Sequence, residues 1–275
     1  MSDLEAALTR WSLGDPQRVA ETATSDVYRV RRPDGTSAAL KLLKPYGADE
    51  IEGARYMQWC DGAGAARIIA IDGLTILMEW LDGAPLGDLP RAGRDEDATV
   101  ILCDVARQLH QPRGPASFKP LRQQFDALFT GDPSMWPITH LPLAQRAMAI
   151  AEELFATAPA PVPLHGDLHH DNIMGSTRGW LAIDPKGLLG DPAYDLANAF
   201  RNPYGADDLV RRPERIDRLA EIFAERLGLD RIRLLRWAAA HCALSACWDY
   251  QAGNSLAGNL IMLPLLLDAV DRRTD

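Results

Sequence analysis

Cysteine is scarce in this 275-residue chain. The four present, Cys60, Cys103, Cys242 and Cys247, form no C-x-x-C pair. That excludes a disulfide-built scaffold and reads as buried, reduced thiols. Basic charge is also short: 29 Lys and Arg face 38 Asp and Glu, for a net charge of −9. With no dense Lys/Arg cluster, a nucleic-acid partner is excluded, and the acidic balance agrees with a cationic small-molecule ligand. Long apolar runs are missing too. Residues 260–267 are the most apolar late stretch, but they are too short to span a bilayer and contain Pro264. From Met1 and Ser2 to Glu5 no basic region leads into an apolar core, so no secretion signal is read and a cytoplasmic protein is expected. Repeats and low-complexity tracts are absent. G-x-x-x-x-G-K-[ST] does not occur, which excludes a P-loop enzyme, and no G-x-G-x-x-G precedes the first hairpin.

What remains is an ordinary globular composition. With 47% hydrophobic and 24% charged residues, the chain can bury a real core, and its length suits one large domain or two lobes. Residues 4–13 and 49–59 have helical spacing. Residues 27–30 and 38–42 read as a hairpin around Pro33, Asp34 and Gly35, and residues 67–71 and 74–79 as a second around Asp72 and Gly73. The texture changes after residue 82. Helices are expected over 94–111, 121–129 and 143–156, a buried strand over 180–183, and helices almost throughout from Tyr194 onward. The expected architecture is α+β: a small β-rich lobe, residues 1–82, and a larger helical lobe, residues 83–275.

Chemistry concentrates in one stretch. Residues 164–174 hold His165, Asp167, His169, His170, Asp171 and Asn172 between apolar residues; Asp184, Pro185, Lys186 and Gly187 follow a short apolar run. Polar groups at apolar strand ends are costly unless paired or functional. A carboxylate, an amide five residues on, and a second carboxylate on a following strand suit phosphoryl transfer. The first accepts a hydroxyl proton, and the other two hold Mg²⁺ on nucleotide phosphates. The histidines invite a zinc reading, but zinc needs a third ligand, and Gly166 with the Asp-Asn pattern reads as a loop. His165 is then a structural residue holding that loop, with His169 or His170 exposed. Asp191 and Asp195 flank Pro192 at a helix start, Asp195 serving as an internal brace. Trp237, Trp248 and Tyr250 read as core.

The string His165-x-Asp167-x-x-x-x-Asn172, followed by Ile183-Asp184, resembles the loops of protein-kinase-like aminoglycoside phosphotransferases. Residues 164–169, 180–187 and 190–197 look more specifically like the streptomycin 6-kinase and hydroxyurea phosphotransferase branch. The resemblance implies a bilobal kinase-like fold. It also implies ATP- and Mg²⁺-dependent transfer of the γ-phosphoryl group to a hydroxyl of an aminoglycoside or hydroxyurea. On it, Asp167 is the catalytic base, and Asn172 and Asp184 hold the metal. Lys41 contacts the α/β-phosphates, preferred over Lys44, which lies beside Pro45 at the strand's end. The ion-pair partner of Lys41 is expected to be Glu52 rather than Glu50. Thr24 and Ser25 cover the phosphates, while the Glu79 carbonyl and Leu81 amide bind adenine. Pro185 and Lys186 stand where protein kinases carry the rest of D-F-G, and Lys186 is read equally as a phosphate contact or a solvated charge. The alternatives are a choline, homoserine or fructosamine type of kinase, or a catalytically silent nucleotide-binding module.

Overall fold

The computed structural model describes residues 3–272; Met1 and Ser2, part of the leader reading, lie outside them. Helix α1 (Asp3–Arg10) leads into five antiparallel strands: β1 (Gly14–Glu21), β2 (Ser25–Arg31), β3 (Ser37–Leu43), β4 (Ile68–Asp72) and β5 (Thr75–Glu79). Their order is β1-β2-β3-β5-β4, with α2 (Glu50–Cys60) inserted between β3 and β4. Alternation along β3 decides its faces, because successive side chains point to opposite sides of a sheet. Ala38 and Leu40 pack with Ala7, Val30 and Leu77 under α1. Leu43 packs with Ala54 of α2 and Ile76. Lys41, two residues before Leu43 and opposite Val27 and Ile76, therefore lies on the α2 side.

Strand β1 departs from the sequence reading, which had no strand before the first hairpin. All eight of its residues are exposed, it contains Pro16, and its pairing with β2 shifts register twice. An exposed edge strand has no apolar alternation to detect.

Beyond residue 82 come α3 (Asp88–Arg91), α4 (Asp95–Leu109), β6 (Lys119–Pro120), α5 (Leu121–Gln124), α6 (Asp126–Phe129) and α7 (Leu141–Ala156). The single helix expected over 121–129 is broken at Phe125 into two short ones. Strand β7 (Val162–Leu164) precedes the 165–172 loop. That loop is followed by the hairpin of β8 (Ile173–Ser176) and β9 (Gly179–Ala182), then β10 (Leu188–Gly190), which pairs with β7 and β6. A 3-10 segment (Pro192–Arg201) and helices α8 (Asp207–Val210), α9 (Pro213–Leu227), α10 (Arg231–Gln251) and α11 (Ala257–Asp271) complete the chain. α10 is the central pillar, packed against α7, α11 and the 3-10 segment. Trp237 is buried in the core with Phe125, Phe155 and Tyr194 around it. All four cysteines are buried and free. Among the described residues no helix is long and apolar enough to cross a membrane.

One glycine fixes how the sheet lobe meets the rest. A Cβ at Gly53 of α2 would lie 1.9 Å from the Pro185 carbonyl oxygen, so α2 seats directly on the backbone that follows Asp184. Helix propensity alone predicts that Gly53→Ala stabilises by about 1 kcal/mol. The contact predicts the opposite sign: overpacking against backbone costs about 1–3 kcal/mol, a fall of several degrees in melting temperature. Differential scanning calorimetry on the variant checks which effect wins.

Candidate active site

Between the sheet and the helical lobe runs a cleft of about 310 Å³, lined by Thr24, Ser25, Lys41, Asp167, Asn172, Asp184 and Lys186. These residues come from four separate segments. At the centre is Lys41, 8% exposed, whose Nζ lies 2.7 Å from Glu50 Oε2 and 2.8 Å from Asp184 Oδ1. Burial works against its charge, but Asp184 and Glu50 outweigh it and hold the ammonium's pKa above the ordinary lysine value.

The partner of Lys41 is Glu50, not Glu52 as the sequence suggested. Glu52 pairs instead with Arg55 on the surface. The helix begins at Glu50, and two residues along a helix turn a side chain by about 200°, so only one of the two can face the lysine. Lys44, the rejected alternative, donates to the Thr22 carbonyl at 2.6 Å and so holds the turn over residues 22–25. In that turn Thr22 Oγ1 accepts the Ser25 N–H at 2.9 Å and the Thr24 N–H at 3.3 Å.

The 165–172 loop hangs from a buried carboxylate. Asp195 accepts the His165 N–H at 3.0 Å and the Gly166 N–H at 2.6 Å, and lies 2.8 Å from His110 Nε2. Gly166 has φ +82°, and a Cβ there would meet Leu188 at 2.8 Å. The His165 ring is buried; Nε2 donates to the Ile183 carbonyl at 2.9 Å, and Nδ1 accepts the Asp167 N–H at 3.3 Å. This ring thus joins the Asp167 loop to the segment after β9 that bears Asp184. Asn172 Nδ2 donates to the Asp167 carbonyl at 3.0 Å, which leaves its amide oxygen as the acceptor end. Asp184, at φ +55°, has one carboxylate oxygen on Lys41 and a half-exposed side chain. Cleft walls desolvate it, yet Lys41 prevails and holds its carboxyl below the ordinary range. Asn172 and Asp184 thus offer oxygen donors only, a set that suits a hard divalent cation.

One expectation needs correction. His170 is completely buried rather than exposed, with neither ring nitrogen partnered among the described residues, and His169 is largely enclosed. Glu79 ends β5, but its side chain leaves the cleft, accepting the Arg67 N–H at 2.7 Å and pairing with Arg178 of the β8–β9 turn. Leu81 packs against the main core, while neighbouring Met78 lines the cleft. Sequence reasoning assigned no role to Asn198, whose Nδ2 donates to Asp167 Oδ1 at 2.7 Å. Nothing in a string of residues signals a contact across 31 positions. Asn198 also lines a second, larger cavity of about 840 Å³, bounded by Arg201, Asn202, Tyr204, Asp249 and Asn259.

A five-stranded lobe over a helical one, joined at a lysine–carboxylate centre, defines a phosphotransferase of the protein-kinase-like fold. Its backbone superposes on an aminoglycoside phosphotransferase solved as a thermostable mutant with ADP and hygromycin B (TM-score 0.71, 15% identity, 98% of each chain). It likewise matches a choline/ethanolamine kinase family protein from Mesorhizobium loti (TM-score 0.69, 16% identity, 96% and 94% covered). The chain belongs to the aminoglycoside/hydroxyurea antibiotic resistance kinase family, whose model matches residues 10–253. Curated relatives include streptomycin 3''-kinase of Klebsiella pneumoniae, 40% identical over 88% of this chain and 90% of the relative. Others are hydroxyurea phosphotransferase of Kitasatospora aureofaciens (33%, 90% and 72%) and streptomycin 6-kinase of Streptomyces griseus (31%, 89% and 81%). It is a small-molecule kinase acting on a hydroxyl group.

The two glutamates of α2 give a direct check. Glu50→Gln leaves a buried ammonium with one charged partner fewer, a loss on the order of 1–3 kcal/mol, so kcat/KM should fall about tenfold or more. Glu52→Gln removes only a surface pair and should stay within about twofold. Steady-state kinetics on both variants decide the assignment.

A pH effect follows from the buried rings. Burial holds His165, His170 and His241 below the ordinary histidine value of 6.5, so the fold favours the neutral form of all three. The unfolded chain protonates them near that value and then binds more protons than the folded one. Stability is therefore full above about pH 7 and declines as pH falls through about 6.5, by up to about 1.4 kcal/mol per pH unit per ring. Urea denaturation at pH 7.5 and 5.5 should show the decline, and His170→Leu should reduce its slope.

Proposed function

We propose that the protein transfers the γ-phosphoryl group of ATP to a hydroxyl of a streptomycin-like aminocyclitol, with Asp167 as the base. The observation that carries this reading is the position of Asp167. It lines the cleft that holds Lys41 and Asp184, and through Asn198 it abuts the larger polar cavity. A donor and an acceptor can thus approach one carboxylate from two sides.

In this reading the Glu79 carbonyl and Leu81 amide bind adenine, and the 22–25 turn with Thr24 and Ser25 covers the phosphates. Lys41 neutralises phosphate charge. Asn172 and Asp184 would hold Mg²⁺, which when bound supplies further neutralisation of charge on the phosphate oxygens. The acceptor oxygen forms a bond to the γ-phosphorus as the bond from that phosphorus to the β-bridging oxygen breaks. The hydroxyl proton passes to Asp167, and ADP leaves. Most of the rate gain comes from orientation and fixed charge.

Size supports a drug-sized acceptor, and Asp249 offers a carboxylate to a cationic one beside Arg201 and Arg211 of the same wall. Asp249 in the larger cavity accepts amide N–H groups from Asn259 (2.7 Å) and Asn254 (3.4 Å). A volume of about 840 Å³ lies in the range of pockets for drug-sized ligands, far beyond what hydroxyurea fills.

Purified protein with labelled ATP, offered streptomycin, hydroxyurea, choline and homoserine, tests the reading. Streptomycin should be the best acceptor; turnover of choline or homoserine well above any aminoglycoside would overturn the assignment. Asp167→Asn keeps size and removes the accepting charge. Its kcat should fall by about 10²–10⁴-fold, with ATP affinity by calorimetry retained.

A further inference from the structure

The two oxygens of Asp167 are not equivalent. Oδ1 receives Asn198 Nδ2 at 2.7 Å, whereas the nearest donor to Oδ2 is Asn172 Nδ2 at 3.4 Å, a group already bonded to the Asp167 carbonyl at 3.0 Å. One oxygen is anchored and the other is available to a hydroxyl. Which end of the Asn198 carboxamide faces Asp167 is decided by chemistry. Its Oδ1 accepts from Arg201 NH2 at 3.0 Å and from Asn202 Nδ2 at 3.1 Å. A guanidinium has only donors and an ionised carboxylate only acceptors, so a flipped amide would clash electrostatically at both ends.

Arg201 is itself held. It donates to the Nδ1 of buried His241 at 3.3 Å and to Asn259 Oδ1. Asn259 in turn donates to Asp249 Oδ2 at 2.7 Å. Arg201 is thus the central donor of a chain that ends on a carboxylate at each side, Asp249 in the acceptor cavity and Asp167 in the cleft. Every link has its donor and acceptor correctly matched.

We propose that Asn198 is a positioning residue for Asp167: oriented by Arg201, its amide N–H anchors one carboxylate oxygen so that the other faces the incoming hydroxyl. The proposal rests on Asp167 acting as the base. Asn198 sets its direction, and the wall of the acceptor cavity sets the direction of Asn198. A misplacement of about 1 Å at a reacting group costs on the order of 10²-fold.

The test compares two variants, each also built on Asp167→Asn. Asn198→Asp keeps the shape and the bonds to Arg201 and Asn202 but turns an oxygen on Asp167; Asn198→Ala removes the anchor. The positioning role predicts kcat lowered about tenfold in Asn198→Ala and about 10²-fold in Asn198→Asp, with acceptor KM and ATP affinity retained. In the Asp167→Asn background Asn198→Asp should cost nothing further, since the new amide can donate to the new carboxylate. A merely structural Asn198 gives the reverse order, with Asn198→Asp near wild type and Asn198→Ala worse. A residue that only contacts the acceptor raises KM and leaves kcat unchanged. Either result overturns the proposal. Should Asn198→Ala fail to fold, Asn198→Asp and its double variant still decide. If wild type transfers phosphate and Asp167→Asn is fully active, the base assignment fails and the proposal with it. Normal loss in Asp167→Asn with an active Asn198→Asp overturns the positioning role alone.

Discussion

A single buried ammonium organises this molecule. Lys41 stands buried between the sheet and α2, where an unpaired charge is costly, and its pairs with Glu50 and Asp184 make the position tolerable. Each pair constrains a different element. Glu50 lies in the first turn of α2, so the rotation of that helix about its axis is set by the lysine. Asp184 lies 143 residues further along the chain, so the bend after β9 that bears it must lie under the sheet. Gly53 then lets α2 approach until its backbone touches Pro185. Remove the charge at position 41 and two carboxylates remain near each other without their shared cation, which is why the centre acts as a unit.

On the opposite side of the cleft the same logic works through hydrogen bonds. Asp195 is buried with no charged partner of fixed sign, yet backbone N–H groups from His165 and Gly166 and the ring of His110 satisfy it. The 165–172 loop therefore hangs from a rigid 3-10 segment rather than from solvent-exposed contacts. Asn198 is on that same segment, three residues after the brace. The piece of backbone that holds the loop in place thus also carries the amide that donates to Asp167 Oδ1. Asp191, at the start of the segment, accepts the Ala193 N–H at 3.0 Å and the Trp237 indole N–H at 2.6 Å, and ties it to α10.

Much of this is legible in the amino-acid sequence, and for physical reasons. The two hairpins carry their own turn chemistry, and the polar strings around Asp167 and Asp184 stand out because the residues beside them are apolar. What cannot be read there depends on rotation or distance. Glu50 and Glu52 differ by where a helix begins, a boundary that sequence leaves uncertain by about the two residues in question. Strand β1 buries nothing and so shows no period. His170 reads as exposed because it is polar, and its burial follows from packing of the loop it belongs to. Asn198 is visible as a residue, but its bond to Asp167 belongs to tertiary structure alone.

The four thiols have a use that their chemistry makes specific. Burial pushes Cys60, Cys242 and Cys247 up to about 11 and Cys103 to about 12, so at neutral pH almost no thiolate exists to meet a reagent while the fold is closed. They sit at separate stations: Cys60 at the end of the helix that carries Glu50, Cys103 inside α4, and Cys242 and Cys247 along the pillar α10. Labelling of each is then limited by how often its own neighbourhood opens. The native chain carries a built-in set of clocks, which time the loosening of α2 against that of the helical lobe without any introduced probe.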